Sequence, residues 1–154
     1  MKFILQILII LLFVGCSNLN SIDKTPPLVK LVVNQDKYSL ILKHYFYKNF
    51  KNNNKSLAKF IIETKLSFNK SKALSIRGNN NLNIIKGKID YQVFNRSKTK
   101  LIKSGSISSS INTGSVSSLY GVDENNNFAK ERISKYLASK LFRKVLLIIN
   151  QSEN

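Results

Sequence analysis

The sequence predicts an α/β (α+β) two-layer sandwich in the order β-α-β-β-β-α, with two helices packed on one face of a four-stranded sheet. Three observations carry that expectation. Alternation with period two runs through residues 60–68, 82–94 and 99–111, the spacing that sends successive side chains to opposite faces of a strand. Apolar residues recur at helical spacing twice, over residues 38–50 and 129–148, and each such stripe has to be buried against another element. A short β-branched run, Leu28-Val29-Lys30-Leu31-Val32-Val33, precedes the first helix and supplies a fourth strand. Strands and one-sided helices in this order stack as two layers.

Each element has its own signals. After the first strand, Asn34 and Asp36 offer N-caps, and Tyr38, Ile41, Leu42, Tyr45, Phe46 and Phe50 form a helical stripe that should end before Asn52-Asn53-Asn54. The aromatic stripe reads as a core face. In the second strand Phe60, Ile62, Thr64, Leu66 and Phe68 share one side, and residues 69–81 read as a polar connection. The third strand carries Ile85, Gly87, Ile89, Tyr91 and Val93 on one side. Asn95-Arg96-Ser97-Lys98 is turn-like and basic, and the fourth strand is serine-rich outside with Ile107 and Ile111 inward. Antiparallel hairpins join these three strands most simply. Residues 113–121 read as an irregular Ser/Gly loop. Asp123 or Asn125 would then cap a long last helix, with Glu124 near its positive end and Arg143 and Lys144 near its negative end. Ala129, Ile133, Leu137, Leu141, Val145 and Ile148 supply its buried face. The chain shows no internal repeat.

The first residues carry a different message. Met1 and Lys2 give a positive end, residues 3–14 are an apolar run interrupted only by Gln6, and Gly15-Cys16 follow. A spanning helix needs about 20 apolar residues, so the run fits the core of a secretory signal, roughly 7–15 residues long. Phe13-Val14-Gly15-Cys16 resembles the bacterial lipobox, although Phe13 stands where that pattern prefers Leu. The resemblance implies cleavage before Cys16 and acylation of its thiol. Cys16 is the only cysteine, so no disulfide forms within the chain. The expected organisation is a lipoprotein signal peptide over 1–15, a lipidated tether over 16–27 ending in Thr25-Pro26-Pro27, and one sandwich domain over 28–150. Ser17 replaces the aspartate that retains enteric lipoproteins at the inner membrane, which favours the periplasmic face of the outer membrane.

The chain of 154 residues has 25 basic and 8 acidic side chains, a formal charge of +17. Such a surface suits a polyanion. The abundance of Lys, Asn and Ile has a second source in AT-rich codons, and composition leaves the two readings open. Export disfavours nucleic acid and favours an anionic component of the envelope.

This layout resembles the lipopolysaccharide-assembly lipoprotein family (LptE-type). The local matches are Ala73 to Arg77 before a strand, the strand end Asp90-Tyr91-Gln92-Val93-Phe94, and the tail from Ser118-Leu119-Tyr120-Gly121 through Ala129-Lys130-Glu131-Arg132 and Leu137-Ala138 to Leu146. The resemblance implies a partner and plug of the large outer-membrane translocon barrel (LptD-type), assisting lipopolysaccharide transport and assembly. Basic residues beside the strands, Arg77, Lys86, Lys88, Arg96 and Lys98, form the candidate anionic-lipid patch, pairing with phosphates through charge-assisted contacts. An auxiliary lipoprotein of an intermembrane phospholipid-transport system is the alternative.

An enzyme is not expected. Catalysis needs convergent groups of tuned acidity, and the chain offers one histidine, His44, on the first helix. The one close acidic pair, Asp123-Glu124, reads as helix-start chemistry. With a single cysteine and a single histidine, neither a zinc site nor any other cofactor is expected.

Overall fold

The computed structural model describes residues 29–49, 58–74, 81–113 and 118–152. Strand β1 (Val29–Val32) buries Val29 and Leu31 and exposes Lys30 and Val32. Asp36 then caps helix α1 (Lys37–Lys48): its backbone is extended at φ −88° and ψ 157°, and its Oδ1 accepts from the N–H groups of Tyr38 at 3.1 Å and Ser39 at 3.0 Å. Of the two candidate caps, the aspartate is the one used. Partial burial pushes its carboxyl up, but donation from Ser39 and from the Tyr38 N–H outweighs that and holds it below the ordinary value.

The remaining elements are β2 (Phe60–Leu74), β3 (Asn81–Asn95), β4 (Leu101–Thr113) and helix α2 (Leu119–Ser152), and the order is therefore β-α-β-β-β-α. Strands lie in the order β1-β2-β3-β4. β1 pairs parallel with β2, Leu31 opposite Ile62, and a parallel pair needs a crossover, here occupied by α1. The Tyr47 hydroxyl accepts from the Leu31 N–H at 2.7 Å and so fastens α1 to the edge strand. β2, β3 and β4 are antiparallel neighbours, with Ile89 opposite both Leu66 and Ile107. A one-residue slip would move Ile85, Ile89 and Val93 to the other face, so burial fixes the register.

Both helices cover one face. Val29, Leu31, Ile62, Ile85, Ile89, Tyr91 and Val93 from the sheet meet Leu42 and Phe46 of α1 and Ile133, Leu137, Leu141 and Val145 of α2. At about 1.5 Å per residue the 34-residue α2 is about 50 Å long. The 15-residue strands β2 and β3 reach nearly the same length at about 3.3 Å per residue. Helix and hairpin are matched in length, and at Gly87 they pack without room for a side chain. A Cβ there would run into Ile133 Cγ2, with Phe68 Cε1 at 3.2 Å and Leu137 Cδ1 at 3.3 Å.

Four expectations need correction. Residues 69–81 are not a polar connection: β2 continues to Leu74 and β3 begins at Asn81, with Leu74 opposite Asn81. Asn69, Ser71 and Lys72 are exposed, and polar residues extend a strand readily once the partner strand supplies its ladder. The last helix is not capped by Asp123 or Asn125. It starts at Leu119, within the segment expected to be loop, because the Ser118 hydroxyl accepts from the Gly121 N–H at 3.1 Å and the Ser118 carbonyl from the Val122 N–H at 3.0 Å. The earlier start leaves the first turn without an acid, and the continuation to Ser152 leaves the last turn without a base. Glu124, Arg143 and Lys144 therefore lie too far inside to act on the helix ends.

Candidate functional site

The sheet face opposite the helices carries no covering element among the described residues. Alternation puts Glu63, Lys65, Ser67 and Asn69 of β2, Lys86, Lys88, Asp90 and Gln92 of β3, and Ser104, Ser106, Ser108 and Ser110 of β4 on it. The ladder arranges them in cross-strand rows: Asn69, Lys86 and Ser110; Ser67, Lys88 and Ser108; Lys65, Asp90 and Ser106; Glu63, Gln92 and Ser104. Each β3 lysine is thus flanked by hydroxyl or amide side chains. Lys88 Nζ contacts Asp90 Oδ1 at 2.7 Å, both side chains half-exposed. An open groove of about 710 Å³ crosses this face, bounded at one end by Val32, Val33 and Asn34 and at the other by Ser104, Gly105 and Ser106. The surface offers ammonium and hydroxyl donors to anionic or hydroxylated groups.

The described candidate residues do not form one patch. Lys86 and Lys88 lie on the open face, whereas Arg96 and Lys98 lie in the turn at the far end of β3. Ten positions along the chain, all but the last within β3, separate Lys86 from Arg96, about 33 Å. Lys98 pairs with Glu63 and lies over the Phe94 ring at 5.9 Å. It adopts φ 59° in a turn closed by its N–H donating to the Asn95 carbonyl at 3.0 Å. That geometry places it in the left-handed region and makes it part of the turn's structure. Arg77 and Cys16 lie outside the described residues. His44 is exposed and stands edge-on to Tyr45 at 5.3 Å.

Several lysines are engaged along the seam between the helices. Lys130 lies over Tyr38 at 5.5 Å and Lys135 over Tyr45 at 5.1 Å, and the Tyr38 hydroxyl donates to Asn127 Oδ1 at 2.8 Å. Burial, with Glu131 and Glu124 nearby, raises the Tyr38 phenol. A hydrogen bond and the charge of Lys135, at 2.7 Å, hold the Glu131 carboxyl below its ordinary value. The aromatic stripe of α1 is thus only partly a core face: Leu42 and Phe46 are buried, while Tyr38 and Tyr45 sit at its border and receive cations from α2. Phe50 lies outside the described residues. The repeat of Tyr38 and Tyr45 is legible in the sequence, but which lysines meet them is set by the docking of two helices far apart in the chain.

No protein-family model matches the chain, and no curated protein matches it. Solved structures do. A Caulobacter crescentus CB15 structure named as a lipoprotein superposes with a TM-score of 0.62 at 13% identity, covering 80% of this chain and 91% of its own. A minor lipoprotein from Acinetobacter baumannii gives 0.59 at 11%, covering 79% and 94%. Rare lipoprotein B from Shewanella oneidensis gives 0.58 at 12%, covering 82% and 98%. The fold is shared with bacterial lipoproteins. At these identities the likeness is one of architecture, and it spans nearly the whole of each relative.

Proposed function

We propose that this chain is an outer-membrane lipoprotein, anchored through acylated Cys16, that assists lipopolysaccharide transport and assembly as partner and plug of an LptD-type translocon barrel. The uncovered sheet face carries the reading. Its rows of serine, asparagine, glutamine and lysine suit contact with the polar interior of a wide barrel, while the helices close the core behind it. The lipobox-like start and the fold held in common with lipoproteins support the same assignment. In this reading the chain binds and assembles, without catalysis or a cofactor. Lys86 and Lys88 are the residues best placed to meet lipid phosphates.

Site-specific photo-crosslinking in cells tests this reading. A photoreactive residue at Ser106, on the open face, should attach to a large outer-membrane barrel protein, and depletion of the chain should lower surface lipopolysaccharide. Crosslinking instead to a transporter that spans the periplasm, with phospholipid co-purifying, would assign the chain to phospholipid transport and refute the plug.

A further inference from the structure

The two edges of the sheet are unequal. β1 is a short edge of 4 residues, whereas β4 presents 13 residues, Leu101–Thr113, with no strand on its outer side among the described residues. Half the backbone N–H and C=O groups of such an edge point away from its neighbour, ready to pair with another chain. Proteins blunt long edges with proline, bulges, short strands or charged side chains that repel a like partner. β4 has no proline, and its one irregularity, between Val93 and Phe94 of its partner, lies at its beginning. From Lys103 to Thr113 the ladder is regular.

What β4 has is a charged wall. A groove of about 450 Å³ runs beside it under α2, with Ile107 as its floor and Tyr136, Lys140, Arg143, Lys144 and Leu147 as its side. Tyr136 is 49% exposed and Leu147 59%, and Lys140 lies over the Tyr136 ring at 4.8 Å. Lys103, on the helix side of β4, adds a further charge. Neither β4 nor residues 132–152 of α2 contains a carboxylate.

We infer that the β4 edge, with the α2 seam above it, is a docking site for an extended acidic segment of a partner protein, added as a fifth strand. The backbone row calls for a polypeptide, since acyl chains offer nothing for N–H and C=O groups to bond. Pairing alone confers affinity, and pockets beside the edge read alternate side chains. Here every second residue would face Lys103, Lys140, Arg143 and Lys144 with Ile107 and Leu147 between them, which selects acidic and apolar residues in turn. The intervening residues would emerge beside the serines of the open face. The same charge disfavours a second copy, because two β4 edges side by side would oppose like-charged walls. This site rests on the edge and its charge, independently of the role proposed above.

The test uses the full chain in neutral detergent and a labelled peptide, Glu-Thr-Val-Thr-Glu-Thr-Val-Thr-Glu. The expected result is saturable binding by fluorescence anisotropy, with hydrogen exchange slowed in the β4 amides. Lysine in place of each glutamate, or proline at the centre, should abolish binding. The combined replacement Lys140→Glu, Arg143→Glu and Lys144→Glu should weaken the acidic peptide about tenfold or more, from the loss of three exposed charge pairs, and let the lysine peptide bind. Equal binding of the proline peptide, indifference to charge reversal, or protection confined to other strands would overturn the proposal. Binding of short-chain phosphatidylglycerol through the same three residues, with no binding of the peptide, would assign the seam to a lipid headgroup and overturn it equally.

Discussion

Replacing Gly87 with alanine tests the contact that sets the helix layer on the sheet. The new methyl would collide with Ile133 Cγ2 and press on Phe68 and Leu137, at 3.2 and 3.3 Å. Ordinary carbon contacts lie at about 3.5–4.0 Å, and Ile133 and Leu137 are fully buried, so neither has free space to retreat into. Overpacking of this kind costs about 1–3 kcal/mol. Against it stands the gain from stiffening the unfolded chain, about 0.4–1 kcal/mol. The balance is a destabilisation of about 1–2 kcal/mol, or roughly 2–8 °C in Tm for a chain of this size. Ile133→Ala alone should cost about 2–5 kcal/mol. Combined with Gly87→Ala it should cost at least about 0.5 kcal/mol less than the sum, because the alanine methyl occupies space that Ile133 vacates. Urea titration of the full chain in detergent, followed by far-UV circular dichroism, measures all three variants. An unchanged or raised midpoint for Gly87→Ala, or strict additivity, would show that α2 does not rest on β3 as described.

Other perturbations have defined outcomes. Asp36→Ala removes the acceptor for two helix-start N–H groups and should cost about 1 kcal/mol by the same titration. Because the Asp36 carboxyl is held below its ordinary value of 3.8, its contribution is complete above that pH and is lost as pH falls through the lower folded value. The difference between wild type and Asp36→Ala should therefore shrink only below about pH 4. Gly105→Ala brings a Cβ within 2.6 Å of the Tyr91 hydroxyl and 2.9 Å of its Cζ. The far end of that side chain can swing, so the loss should be smaller than at Gly87, with a change in tyrosine near-UV circular dichroism as its mark. Cys16→Ser should abolish labelling by radioactive palmitate and release the chain from the membrane fraction.

How far the fold was legible follows from which forces act locally. The alternation at Ile85, Ile89, Tyr91 and Val93 and the stripe from Ala129 to Ile148 respond to burial, and burial on one face leaves a periodic trace. Element ends leave a weaker one. Asn69, Ser71 and Lys72 read as loop residues, yet they are strand because β3 lies alongside. Ser118 caps α2 although Asp123 and Asn125 are equally good caps by type, and nothing local decides among the three. The candidate patch divided for the same reason. Lys86, Lys88, Arg96 and Lys98 are near in sequence, but a strand spreads its residues at about 3.3 Å each, and the turn claimed Lys98 for Glu63 and Phe94. Arg143 and Lys144 of the seam read as helix-end chemistry in the sequence, but the true end at Ser152 lies two turns further on.

The location of charge bears on its origin more than its amount does. A codon bias toward lysine raises the basic count along the whole chain and has no reason to remove carboxylates from one surface. Along α2, residues 119–131 hold Asp123, Glu124 and Glu131 against Lys130 alone, whereas residues 132–152 hold Arg132, Lys135, Lys140, Arg143 and Lys144 and no acid. The macrodipole does not account for this division, since its influence fades within a turn of either end and the last turn has no base. Lys140, Arg143 and Lys144 of the basic half line the groove beside β4, and both that half and β4 lack carboxylates. A field concentrated there should make association with an acidic partner fall steeply with salt, mainly through the on-rate. Charge reversal at Lys140, Arg143 and Lys144 should remove that dependence, while reversal of Lys86 and Lys88 on the open face should leave it unchanged. Equal loss of salt dependence from both sets would mean that net charge, and not its placement, drives association.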